Sequence, residues 1–179
     1  TLPLLCLIKI RSLLILYKSI FQLNMKIYDC FMFFDEDMLL DLRLNIMNKY
    51  VDKFVITEAT YMHNGSKKKL NFDINKFKKF KDKITYIVVD QPPPGIINVY
   101  EEDDKEKMES KKIWNAYKRE IYQIEKTKEG IKNANSEDMI MISDLDEIPN
   151  LEKLNLNTIK EKLIFFKQKM YYYKLNLLH

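Results

Sequence analysis

Hydrophobic and polar positions in this chain switch repeatedly between a period of two and a period near 3.6. Residues 26–34 are an aromatic and β-branched run without a breaker, which predicts a strand. An acidic turn, Asp35-Glu36-Asp37, follows it. Leu39, Leu42, Ile46 and Tyr50 then recur at helical spacing, so residues 37–49 read as an amphipathic helix with the acidic first turn that the helix dipole favours. Lys53-Phe54-Val55-Ile56-Thr57 is a second, short buried strand ending at Glu58. His63-Asn64-Gly65-Ser66 is a turn, residues 75–81 a short basic helix, and residues 84–90 a third strand ending in Asp90. Pro92-Pro93-Pro94-Gly95 and the charge-dense stretch after it predict a long loop over residues 91–109, either a mobile active-site loop or a linker. A second helix is expected over residues 110–128 with Trp114, Tyr117, Ile121 and Ile124 on one face and Gly130 as its C-terminal cap. Met139-Ile140-Met141-Ile142 reads as a strand buried on both faces. A helix over residues 156–160, a strand over 162–167 and an aromatic strand over 170–175 complete the expectation, and no internal repeat is visible.

Strands alternating with helices predict an α/β fold with a mostly parallel sheet. Right-handed crossovers place every strand's carboxyl end on one edge, so Glu58, Asp90 and the pair Asp144 and Asp146 are expected to gather there. The last strand runs straight into Ser143-Asp144-Leu145-Asp146-Glu147-Ile148-Pro149. Ligands of open α/β sheets bind beyond the carboxyl ends of strands. Carboxylates packed this closely repel unless a cation sits between them, and hard divalent ions such as Mg²⁺ or Mn²⁺ take such oxygen ligands, often shared with a phosphate. The alternative is an acidic surface turn with Asp146 capping a helix.

Composition narrows the function. The chain has 179 residues, 46% of them hydrophobic and 31% charged, in the range of a single globular domain. A net charge of +4 with nearly balanced signs speaks against a nucleic-acid binder, and the clusters Lys67-Lys68-Lys69 and 76–83 read as solvated faces. Two cysteines (Cys6, Cys30) and two histidines (His63, His179) exclude a disulfide framework and a Cys/His zinc site. With three glycines in all, neither a Gly-x-Gly-x-x-Gly nor a Walker loop is present, so a bound nucleotide would rely on a metal for much of its phosphate contact. Residues 1–24 carry no acidic residue and are interrupted by Lys9, Arg11 and Lys18, which leaves no run of the roughly 18 apolar residues a spanning helix needs. They are expected to lie outside the fold, the alternative being a weak signal anchor or an amphipathic membrane-surface segment.

Taken in order, several segments resemble glycosyltransferase family 17, typified by the β-1,4-mannosyl-glycoprotein β-1,4-N-acetylglucosaminyltransferases. They are Tyr28-Asp29-Cys30-Phe31-x-Phe33-Phe34, Leu39-Leu40-x-Leu42-Arg43-Leu44, Val51-Asp52-x-Phe54-Val55-Ile56-x-Glu58, Gly65-x-x-Lys68-x-Leu70-x-Phe72 and Asp138-x-Ile140-x-Ile142-Ser143-Asp144-x-Asp146-Glu147-Ile148-Pro149. Each piece alone is weak, whereas the ordered set over residues 28–149 is specific. The chain departs from the family at Asp35, where the family has Asn, and at Ile124-Glu125, where the family has Arg-Asn after Glu120-x-x-Gln123. Family members also run on beyond the equivalent of His179, so residues 25–179 are expected to be the donor-binding part of a catalytic domain, truncated at its C-terminus.

The resemblance implies a GT-A-type, Rossmann-like nucleotide-sugar-binding fold and a metal-dependent inverting glycosyltransferase. The implied donor is UDP-N-acetylglucosamine, the cofactor Mn²⁺ or Mg²⁺, and the acceptor a mannose or another glycan, on a glycoprotein or elsewhere. Asp146 is then the expected direct metal ligand. Asp144 would hold the metal through water or touch the ribose. Glu58, Arg43 and Lys68 fall on the donor side, and Glu147 is the candidate catalytic base. No nucleic-acid partner is expected. The compartment stays open between cytoplasm, in a microbe or virus, and a membrane-associated site if the leader is an anchor. Two rival readings are an inactive donor-binding remnant and an aspartate-nucleophile phosphohydrolase with Asp144 attacking phosphorus.

Overall fold

The computed structural model describes residues 25–155, 158, 159 and 161–169. Contacts divide the chain into Ile27–Ile148 and a second unit formed by Thr1–Lys26 with Pro149–His179. The first unit is an α/β fold on one four-stranded sheet: β1 (Ile27–Met32), β2 (Lys53–Ala59), β3 (Ile84–Val89) and β4 (Met139–Ile142), in the order β3-β2-β1-β4. All pairings are parallel, with Tyr28 opposite Lys53 and Ile140, and Phe54 opposite Ile84. The two central strands are almost wholly buried, as expected for runs covered on both faces, while β3 and β4 are edges with partly exposed residues.

Side chains alternate between the faces. On one face Tyr28, Cys30 and Val55 form a cluster that packs against Ile87, Ile131, Ala134 and Ile140. On the other, Arg43 of helix α1 (Asp37–Met47) reaches Asp29 and lies over the Phe31 ring. The face that α1 buries is not the expected one. Leu40, Arg43, Leu44 and Met47 are inside, whereas Leu42 and Ile46 are 49% and 42% exposed. Both stripes have helical spacing. The buried charge pair decides between them, because leaving Arg43 or Asp29 unpaired in the core costs more than exposing two aliphatic side chains.

Helix α2 (Lys105–Lys126) starts five residues earlier than expected, where Asp104 caps it by accepting from the Lys107 N–H at 2.8 Å. Its predicted apolar face is also turned outward: Trp114, Tyr117 and Ile121 are exposed, with Trp114 stacked on Tyr117. The inward row is polar and spaced by four. Asn115 both accepts from the Ile97 N–H and donates to the Ile97 carbonyl, Arg119 donates to the His63 carbonyl, and Gln123 donates to the Thr57 carbonyl. The helix therefore docks by satisfying backbone groups of β2 and of the loops beyond β2 and β3. Residues 91–104 are accordingly pinned at Ile97 by Asn115 and at Gly95 by Lys118. The turn at Gly65 (φ +89°) sits against Arg119, where a Cβ would meet Nη2 at 2.5 Å.

The expected basic helix is a 3-10 segment, Ile74–Phe80, which buries Phe77 and Phe80. In the second unit Asn150 accepts from the Glu152 N–H and opens a 3-10 turn, Leu151–Lys153. The strand expected over residues 162–167 is irregular, with no pairing partner among the described residues. The expected helix over residues 156–160 falls largely outside the described residues, and residues 1–24 and 170–175 lie wholly outside them. No helix among the described residues is long and apolar enough to cross a membrane.

Gly130 follows α2 with φ −82°, so it is not a left-handed cap. Its requirement is close approach, since a Cβ there would lie 2.4 Å from Val55 Cγ1. Gly130→Ala should cost about 1–3 kcal/mol by overpacking. In a Val55→Ala background the added methyl gains room, so a denaturant-unfolding cycle should show strong coupling. Additive effects would mean that the close approach does not constrain position 130.

Candidate functional site

β1 is followed by a crossover to β2 on one side, and β4 joins it on the other. The crevice beyond the carboxyl ends of β1 and β4 is therefore the topological switch point where ligands of such sheets bind. A cavity of about 190 Å³ opens there. Cys30, Phe31 and Met32 of β1 form one wall, Ile142, Ser143, Asp144 and Glu147 the opposite one, and Ile124 and Thr127 close it from the end of α2. Ile124 supplies an aliphatic surface where the family resemblance led to an arginine.

The loop after β4 presents its acids to solvent. Asp144, Asp146 and Glu147 are exposed, while Leu145 between them is buried. No described residue pairs with the Asp144 or Asp146 carboxylate. Glu147 turns one carboxylate oxygen back to accept weakly from the Asp144 N–H at 3.3 Å, and its other oxygen has no hydrogen-bond partner among the described residues. The loop is shaped from behind by Arg43, which has no exposed surface. Arg43 Nε and Nη2 donate to the two oxygens of Asp29 at 2.9 and 2.7 Å, and Nη2 also donates to Ser143 Oγ at 2.7 Å. Nη1 donates to the carbonyls of Asp144, Leu145 and Glu147 at 2.6, 3.1 and 3.2 Å. All five guanidinium N–H groups are thus occupied. Arg43 was expected on the donor side; it is instead inside the protein, under the acidic loop.

Glu58 and Lys68 were also expected on the donor side, and the structure turns them toward each other. Glu58 is wholly buried and Lys68 nearly so, and the two form an ion pair. Glu58 further accepts from the N–H groups of Asn71 and Phe72 at 2.7 and 3.1 Å and from the Tyr86 hydroxyl at 2.8 Å. It fastens the segment after the Gly65 turn onto β2 and β3. Burial, with the Glu58 hydrogen bond and charge, holds the Tyr86 phenol above its ordinary range. Asp90 is exposed beyond β3. The parallel sheet puts these carboxylates on one edge, but among the described residues no three His, Cys, Asp or Glu side chains come together as a metal cage.

Sequence reasoning gave no role to Asp29, Ser143 or Gln123. A carboxylate within the apolar run Tyr28-Asp29-Cys30 was the available signal, because such a charge must find a buried partner. Cys30, beside it, is fully buried, and burial together with the Asp29 charge pushes its thiol up to about 12, so it is a packed hydrophobe rather than a nucleophile.

Residues 17–178 match glycosyltransferase family 17. The chain belongs to that family. No curated protein and no solved structure matches it. Family membership makes the chain a glycosyl transferase, and the β1–β4 crevice with its acidic rim is the candidate site for that chemistry. Glu58 in this transferase is a structural hub by its contacts. Glu58→Ala leaves the Lys68 ammonium buried without its partner and should destabilise the fold by about 3–5 kcal/mol in denaturant unfolding. A variant of near wild-type stability would contradict the hub assignment.

Proposed function

We propose that this chain is a metal-dependent inverting glycosyltransferase of GT-A type. In this reading it transfers N-acetylglucosamine from UDP-N-acetylglucosamine, in β-1,4 linkage, to mannose or another glycan acceptor. The observation that carries the proposal is the loop after β4 in a family 17 chain: Asp144 lines the switch-point cavity, Asp146 follows two residues on, and neither carboxylate has a partner among the described residues. The donor set fits a hard divalent cation shared with a diphosphate. Such ions take one or two protein carboxylates and complete their shell with phosphate oxygens and water, so a three-residue cage is not required.

Asp146 would hold the cation directly, and Asp144 would hold it through water or accept from the ribose. When bound, Mn²⁺ or Mg²⁺ neutralises the charge of the nucleoside diphosphate leaving group. The protein's own task is to fix the two carboxylates and admit the donor into the crevice. Inversion requires a base on the face of the sugar opposite the leaving group, the demand met by the base of inverting glycosidases. Glu147 lines the cavity, and one of its carboxylate oxygens is unengaged among the described residues. It would accept the proton of the acceptor hydroxyl as that oxygen attacks the anomeric carbon. The aliphatic surface of Ile124 leaves the charge of the diphosphate to the cation side of the crevice.

Calorimetric titration of UDP-N-acetylglucosamine with and without Mn²⁺ tests the reading. Asp146→Ala should abolish Mn²⁺-dependent binding, and Asp144→Ala should weaken it strongly. Glu147→Gln should leave binding within a few-fold while lowering transfer by roughly 10²–10⁴, the usual contribution of a general base. Equal donor binding by the wild type and Asp146→Ala would refute the metal assignment.

A further inference from the structure

We propose that Arg43, anchored by Asp29, is the positioning residue that presets the acidic loop for the cation. The proposal rests on the reading of Asp144 and Asp146 as the cation side of the donor site. The loop has few other holds. Its internal hydrogen bonds are Glu147 N–H to the Asp144 carbonyl, Ile148 N–H to the Asp146 carbonyl, both at 3.1 Å, the weak Asp144 N–H to Glu147, and Ser143 Oγ to the Glu147 carbonyl at 3.3 Å. Leu145 and Pro149 are buried and Ile148 is half-buried. Against this, a single guanidinium nitrogen takes the carbonyls of residues 144, 145 and 147. Three peptide planes are thereby turned with their oxygens inward, and Asp144 and Asp146 are exposed, with no side-chain partner among the described residues.

The anchor of this arrangement is rigid. Asp29 lies in the middle of a central strand, fully buried, and holds the guanidinium through both carboxylate oxygens. The acidic loop is therefore registered to the sheet through this fork and, at its start, through the Ser143 N–H donating to the Cys30 carbonyl at 3.3 Å, and its carboxylates keep their places before any cation arrives. Hydrogen bonds from a charged donor are about twice as strong as neutral ones. Lysine cannot reproduce the arrangement. Its ammonium carries three donors at a single point, so it can keep the pair with Asp29 but cannot also span Ser143 and the three carbonyls.

The test uses the full 179-residue chain and Mn²⁺-dependent binding of uridine diphosphate, with wild type, Arg43→Lys, Ser143→Ala and Asp146→Ala compared well below their melting temperatures. Partners behind a metal ligand typically contribute about 10–100-fold to metal affinity. Arg43→Lys should therefore weaken Mn²⁺-dependent binding at least about tenfold. Amide hydrogen exchange should quicken at residues 144–148 while β1 and β2 stay protected. Ser143→Ala removes one contact of the fork and should show a smaller loss in the same direction; it carries the test if Arg43→Lys does not fold. A merely structural Arg43 would lower the melting temperature and leave the folded protein's affinity unchanged. Wild-type affinity in folded Arg43→Lys, or in Ser143→Ala where that variant stands in, with binding lost in Asp146→Ala, overturns the proposal alone. Wild-type affinity in Asp146→Ala overturns the donor-site reading beneath it.

Discussion

A guanidinium placed wholly out of solvent is tolerated only when every one of its donors is met, and that requirement organises the candidate site. Arg43 pairs with Asp29 and takes Ser143 and three carbonyls of the loop after β4, so strand β1, helix α1 and the acidic loop share one polar centre. Removing either partner would leave an uncompensated charge in the core at a cost of about 3–5 kcal/mol. The same centre sets the rotation of α1, because the helix face that carries Arg43 must meet Asp29 even though Leu42 and Ile46 are exposed as a result. The stabilising pair and the shape of the loop are thus one interaction seen from its two ends.

The carboxyl edge of the sheet is held together by polar contacts of this kind. Glu58 gathers Lys68, two backbone N–H groups and the Tyr86 hydroxyl, and so binds the segment after the Gly65 turn to β2 and β3. The row Asn115, Arg119 and Gln123 on α2 meets backbone carbonyls at residues 97, 63 and 57. Loops that border a site must present their backbone to solvent and ligand, and buried polar side chains fix such segments without covering them. In this arrangement the Asp144 and Asp146 carboxylates, beside the switch-point crevice, have no partner among the described residues.

The sheet was legible in the sequence because its strands are short apolar runs bounded by breakers. Observed β1 to β4 lie within about two residues of the expected limits, and Asp144 and Asp146 fall just beyond β4, as read. Helix rotation was not legible. Two stripes in α1 have the same spacing, and the choice between them depends on an ion pair to a residue 14 positions away. In α2 the aromatic stripe Trp114, Tyr117 and Ile121 looks like a core face by periodicity, but the neighbouring polar row meets backbone groups that come near only in the folded chain. The roles given to Arg43, Glu58 and Lys68 rested on residue type and resemblance. Their burial is a tertiary fact, and it moves them from the ligand side to the supporting side. Gly130 was read as a cap because glycine is common there, whereas its neighbour Val55 is 75 positions away in sequence and set beside it by the fold.

Anomalous diffraction from crystals grown with Mn²⁺ and a uridine-diphosphate sugar locates the cation directly. A manganese peak is expected within coordination distance of the Asp146 carboxylate and of both phosphates, in the crevice between the ends of β1 and β4, with the Arg43 contacts to Asp29 and to the loop carbonyls intact. A peak away from that loop, or a diphosphate bound beside Glu58 and Lys68 with their ion pair opened, would contradict this cation site.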